Sequence, residues 1–113
     1  SWLAEGIAVK VVTQALPQYH RLKGRVLRVT HQGRGAEVEM LDSGDVLGLD
    51  CADLETVIPR EGGQVRVLRG SRRGEVARVL ELDTEHFCVR VRLRDGQERS
   101  YEYEHVSKVA DEP

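Results

Sequence analysis

Aromatic side chains are scarce: Trp2, Phe87 and three tyrosines make up 4% of 113 residues. An aromatic cage around a methylated lysine, or a groove of the signalling SH3 type for proline-rich peptides, is therefore poorly supplied. Cysteine is limited to Cys51 and Cys88, 37 positions apart and without a CxxC. Two such residues cannot build a zinc site by themselves, and a disulfide-stapled secreted scaffold is not indicated. Reduced thiols of an intracellular protein are expected. No apolar run approaches the roughly 18 residues needed to cross a membrane, and no signal-peptide core is visible. An excess of one charge is also missing: 17 basic against 19 acidic groups give −2 and a pI near 6.1. That balance argues against a chain that binds nucleic acid with its whole surface, and leaves room for a local basic groove.

Catalytic patterns are equally thin. His20, His31, His86 and His105 show no metal-ligand spacing, and no Ser/His/Asp or Cys/His set is recognisable. No GxxxxGK[ST] phosphate loop occurs. Asp42-Ser43-Gly44 matches the aspartic-protease tripeptide. That chemistry needs two such carboxylates at a symmetric interface, whereas Asp45 would crowd this one, and a turn explains the segment better. No enzyme activity and no cofactor are expected.

What is present is alternation. Ile7, Val9 and Val11 share one face of a strand; Val65 and Val67 do the same around Arg66. Val89, Val91 and Leu93 face inward while Arg90 and Arg92 face outward. Short period-two runs of β-branched residues separated by Gly/Asp turns predict antiparallel sheet. Single helical turns are expected at 51–55 and 103–107, and nothing longer.

The two halves also answer to each other. Val9–Val12 corresponds to Val65–Leu68, Gly24–Val29 to Ala77–Leu82, and Glu37–Leu41 to Val89–Leu93. Ser43–Val57 aligns without a gap on Asp95–Val109. The order of strands and turns predicts an all-β chain of two five-stranded barrels: residues 1–58, a short linker at 59–63, and residues 64–113. Each copy is near the size at which burial is marginal, so the barrels are expected to pack together with a cleft between them. Charge follows the same division. Residues 59–83 hold six arginines against four acids, and the segments on either side are each net acidic.

These residues carry a family resemblance. Val65–Leu80, "VRVLRGSRRGEVARVL", resembles a KOW motif, the strand-loop-strand unit of SH3-like barrels. "WLAEGIAVKVVTQAL", "YHRLKGRV", "MLDSGDVLGLDCADLETVIP" and "YEHVSK" together resemble the C-terminal end of the Kin-seventeen family. A spliceosomal G-patch/KOW family shares "WL" and part of the "LET..P" segment and is the second resemblance. The first resemblance implies a tandem of SH3-like barrels in a nuclear zinc-finger protein tied to DNA replication, the DNA-damage response and RNA metabolism. It also implies a module that binds RNA, with DNA as the alternative; a monomer without catalytic activity and without a membrane partner is expected. Two lysines at the cleft between the barrels are implied as anion ligands; they match Lys23 and Lys108. The family tends to carry an aromatic and a glycine where this chain has Arg72 and Ala77.

The candidate contacts are then Lys23 and Lys108, with the loop arginines Arg69, Arg72 and Arg73 reaching phosphates, helped by backbone N–H groups near Gly70 and Gly74. The plain alternative is a solvated hairpin tip. Tyr19, His20, Tyr101 and Tyr103 are rings able to stack on unpaired bases, although Tyr101 aligns with Leu49 and so reads as core. A second function class is a protein-interaction module that docks a spliceosomal or replication partner.

Overall fold

The computed structural model describes residues 1–110; the last three residues of the second expected barrel lie outside the described residues. Ten strands run in order: β1 (Ala8–Val11), β2 (Lys23–Thr30), β3 (Gly35–Met40), β4 (Val46–Asp50), β5 (Leu54–Thr56), β6 (Gln64–Val67), β7 (Val76–Asp83), β8 (Cys88–Leu93), β9 (Glu98–Glu102) and β10 (Val106–Lys108). Single 3-10 turns occupy His31–Gly33, Cys51–Asp53 and Tyr103–His105. The last two fall where helical turns are expected, and no α-helix occurs among the described residues.

The strands form two five-stranded sheets of the same topology, β4-β3-β2-β1-β5 and β10-β6-β7-β8-β9. They belong to two compact units, Ser1–Glu55 with Ala110, and Thr56–Val109. Each unit is an SH3-like barrel.

In the first unit, alternation buries Ile7, Val9 and Val11 together with Val26, Ala36, Val38, Met40, Leu49 and Leu54. The eight-residue β2 pairs with both β1 and β3, and its register shifts between Val26 and Arg28. A bulge at that point bends one long strand, which lets it serve both ends of a small barrel. At its start, Gly24 lies against β3 so closely that a Cβ would strike the Val38 Cγ1 methyl.

The second unit repeats this plan. Val65, Val67, Ala77, Val79, Val89, Val91, Leu93 and Val106 form its core, with Ile58, Leu82, Tyr101 and Tyr103 packed against it. The register of β7 shifts between Val79 and Glu81, the counterpart of the bulge in β2. The segment after β5 is tied to β10: the Val57 N–H donates to Ser107 Oγ at 2.9 Å, and the Lys108 N–H donates to the Val57 carbonyl at 2.7 Å. Ser107 is the buried polar side chain of this barrel.

One stretch of the repeat differs from expectation. Val26 pairs with Val38, and Val79 pairs with Val91, so Met40 rather than Leu41 is the counterpart of Leu93. Met40 and Leu93 are both buried, whereas Leu41 is 54% exposed. The β3–β4 turn holds one residue more than the β8–β9 turn: Met40 bonds across to Asp45, and Leu93 to Gln97. Beyond the turn the gapless correspondence resumes, with Leu49 opposite Ala36 and Tyr101 opposite Val89.

Candidate functional site

The β6–β7 loop, Leu68–Glu75, follows from its glycines. Gly70 and Gly74 hold φ of 88° and 91°, a region that favours glycine. The chain can then fold back on itself. The Arg73 N–H donates to Gly70 O, Gly74 N–H to Val67 O and Glu75 N–H to Arg72 O. The expected help from backbone N–H groups is reduced, because these three donors are already used inside the loop.

Arg72 is held in a similar way. Its Nε donates to Glu75 Oε2 at 2.6 Å, and its Nη2 donates to Glu75 Oε1 at 3.0 Å and to Asp95 Oδ2 at 2.7 Å. Its side chain is only 19% exposed. The two carboxylates raise the guanidinium's affinity for its proton, and Arg72 in turn holds the Asp95 carboxyl below its ordinary range. Arg72 is thus a strut between two loops, its charge met twice. Arg66 Nη1 also braces the loop, donating to the Gly74 carbonyl at 2.6 Å.

Arg69 and Arg73 are exposed. Arg69 Nη1 stands 3.3 Å from His105 Nε2, and that imidazole lies within 4 Å of carboxylate oxygens of Glu102 and Glu104. Acidic neighbours therefore dilute the positive potential around Arg69. The Glu102, Glu104 and His105 atoms lie close enough together to suggest a metal site. An Arg69 N–H already stands within hydrogen-bonding distance of the imidazole nitrogen, so that lone pair is engaged inside the group rather than held open for a metal.

In the first barrel, Lys23 opens β2 and is exposed, and its register partner on β1 is Lys10. Like charges directly across a strand pair are unfavourable for stability. Lys10 finds Glu55 at a loose 3.9 Å, and no carboxylate comes within ion-pairing reach of Lys23 among the described residues. Lys10 is a basic group that the sequence reading misses; only the register puts it beside Lys23. His20 is half-buried, with Nδ1 3.1 Å from the Thr13 carbonyl, which fixes the proton on that nitrogen. Tyr19 donates its hydroxyl to Asp45 at 2.7 Å, joining the β1–β2 loop to the β3–β4 turn as Arg72 joins the matching pair of loops. The Asp42-Ser43-Gly44 tripeptide is that turn: the Gly44 N–H donates to Met40 O, and Ser43 Oγ accepts from the Asp45 N–H.

Lys108 ends β10 in the second barrel, half-buried, again with no carboxylate in ion-pairing reach among the described residues. Four of the strand arginines behave differently. Arg25 pairs with Glu39, Arg28 with Glu37, and Arg90 and Arg92 share Glu98, all at 2.6–3.0 Å. Three of these four arginines face their carboxylate directly across the strand pair, so the registers that build the sheets also neutralise them.

Fold and charge pattern define a tandem of small SH3-like barrels in which Arg25, Arg28, Arg72, Arg90 and Arg92 have carboxylate partners, while Lys23 and Lys108 have none among the described residues. A family model described as "KIN17 C-terminal SH3 domain" matches residues 59–110, and one described as "KN17 SH3-like domain" matches residues 1–50. The chain belongs to the KIN17 family and carries both of these SH3-like domains. It is 44% identical over 116 residues to a KIN17-like protein of Arabidopsis thaliana, covering 96% of this chain and 28% of that protein. A KIN17-like protein of Oryza sativa subsp. indica is 45% identical over 115 residues, covering 96% and 26%. The DNA/RNA-binding protein KIN17 of Mus musculus is 38% identical over 116 residues, covering 97% and 29%. The chain spans between a quarter and a third of the length of these relatives.

Proposed function

We propose that the chain is a non-catalytic nucleic-acid-binding module of a larger nuclear protein, favouring single-stranded RNA over duplex DNA. RNA processing, DNA replication or the DNA-damage response is its setting. Lys23 and Lys108 supply the principal phosphate contacts, with Arg69 and Arg73 as weaker ones and His20 as a ring for stacking on a base. The observation that carries this reading is the contrast in neutralisation. Arg25, Arg28, Arg90, Arg92 and Arg72 have carboxylate partners, whereas Lys23 and Lys108 have none among the described residues. A lysine ammonium suits a phosphate and is blind to base identity. The KIN17 relatives of mouse and human are named as DNA/RNA-binding proteins, which supports the same ligand class. With no α-helix among the described residues to enter a major groove, base reading of duplex DNA lacks its usual tool.

Titration of a labelled oligouridine and of a DNA duplex of equal length into the 113-residue chain at low salt tests the preference. Tighter binding of the single strand is expected. Equal or tighter binding of the duplex overturns the RNA preference, and no binding of either overturns the module's proposed role.

A further inference from the structure

Phe87 is 66% exposed, the most exposed of the large apolar side chains, on a chain with few aromatics. It sits in the β7–β8 turn at φ of 53°, a left-handed conformation that is uncommon for a bulky residue. Its carbonyl accepts from the Tyr103 N–H at 2.8 Å, and the two rings meet edge to face, centroids 6.1 Å apart and planes at 81°. The rings form two walls of an open concavity of about 270 Å³ that is completed by His86, Glu102 and Glu104. Small-molecule sites run to roughly 300–1,000 Å³, so this one suits a single side chain of a segment that continues outside it.

The first barrel shows that the fold does not require these rings. The same backbone link joins the Cys51 N–H to the Arg34 carbonyl at 2.7 Å, with Arg34 at the place of Phe87 and Cys51 at that of Tyr103. Both barrels make the turn, and the second adds an aromatic corner to it. Charge then selects the occupant. Glu102 and Glu104 have side chains 61% and 76% exposed at the rim, and Asp83 is hydrogen-bonded to His86, which lines the same concavity. Carboxylates repel a phosphate backbone and attract a cation, and a flat guanidinium both stacks on a ring face and forks to a carboxylate.

We propose that the Phe87–Tyr103 corner with Glu102 and Glu104 is a docking site for an arginine side chain of a basic peptide segment in a partner protein. The ring faces hold the guanidinium and the carboxylates orient it. This site is separate from the lysines assigned to phosphate and stands whether or not that assignment does.

The test is fluorescence anisotropy of a labelled peptide of alternating glycine and arginine against the full 113-residue chain, with oligouridine titrated in parallel. Phe87→Ala removes an exposed ring and should leave the melting temperature unchanged. Peptide affinity should fall about threefold to tenfold in Phe87→Ala and comparably in Glu102→Gln/Glu104→Gln, with oligouridine affinity unchanged in both. A peptide of equal charge with lysine in place of arginine should bind more weakly to the wild type. Equal peptide affinity in wild type and Phe87→Ala overturns the proposal, even if the glutamine variant binds less, because charge alone then explains the binding. Loss of oligouridine affinity in Phe87→Ala also overturns it, since the corner then holds a base.

Discussion

Arg72 Nη2 lies 2.7 Å from Asp95 Oδ2, joining the β6–β7 loop to the β8–β9 turn of the same barrel. The loop arginines therefore divide into one strut and two exposed cations. Removing the strut's charge by Arg72→Gln should loosen the loop and lower the melting temperature, while the salt dependence of RNA binding stays close to that of the wild type. Arg69→Gln/Arg73→Gln should instead reduce the salt dependence of RNA binding. Calorimetry and a salt titration on both variants check this; a large loss of RNA affinity in Arg72→Gln would show that its ion pairs open for ligand.

Acid should destabilise the chain through a definable set of groups. Arg72 holds Asp95 below its ordinary 3.8, and Arg92 and Arg90 hold Glu98 below its ordinary 4.5. His86 does the same for Asp83. In this window the unfolded chain binds protons that the folded chain does not, so stability rises with pH. The contribution is complete above about pH 4.5, the unfolded value of the glutamate, and is lost as pH falls through the lower folded values. Urea midpoints from pH 3 to pH 6 should show that fall, and Arg72→Gln should flatten it.

Gly24 and Ala77 are counterparts, yet only one tolerates a methyl. Gly24→Ala should push its Cβ onto Val38 Cγ1, with the Glu39 carbonyl at 3.0 Å and the Met40 sulfur at 3.2 Å. Overpacking of this kind costs about 1–3 kcal/mol. Ala77→Gly meets no clash, and loses about 0.5–1 kcal/mol from backbone freedom in a strand and about 0.8 kcal/mol for the buried methyl. Chemical denaturation of the two variants measures both losses, and a Gly24→Ala variant as stable as the wild type would contradict the close approach of β2 to β3.

Ser107 is fully buried, and its Oγ takes the Val57 N–H. Ser107→Ala leaves that donor without its partner, at a cost of about 1–3 kcal/mol. Amide exchange at Val57 should rise sharply. Protection equal to the wild type would mean the amide has found another acceptor.

Period two and the Gly/Asp turns made the strands readable, because each strand buries one face. The repeat was readable for the same reason, but its β3 register was not. Glu37–Leu41 and Gly35–Met40 both alternate, and matching Leu41 to Leu93 was one residue off because the longer β3–β4 turn is invisible to alternation. The candidate site was legible in type and not in partnership. Arg72 meets a carboxylate 23 positions away, Lys10 stands beside Lys23 across a strand pair, and Phe87 meets Tyr103 across a sheet edge. Composition pointed away from an aromatic cage or a proline-rich groove, since two rings brought together by the fold do not register in a count of five.

The central claim is that Lys23 and Lys108 neutralise phosphates. The most direct measurement is the dependence of oligouridine affinity on salt for the wild type and for Lys23→Ala/Lys108→Ala. Each phosphate contact on a single strand contributes about 0.7 to the slope of log affinity against log salt, so losing two should reduce that slope by about 1.4. Affinity at low salt should fall with it. An unchanged slope and unchanged affinity in the double variant would contradict the account.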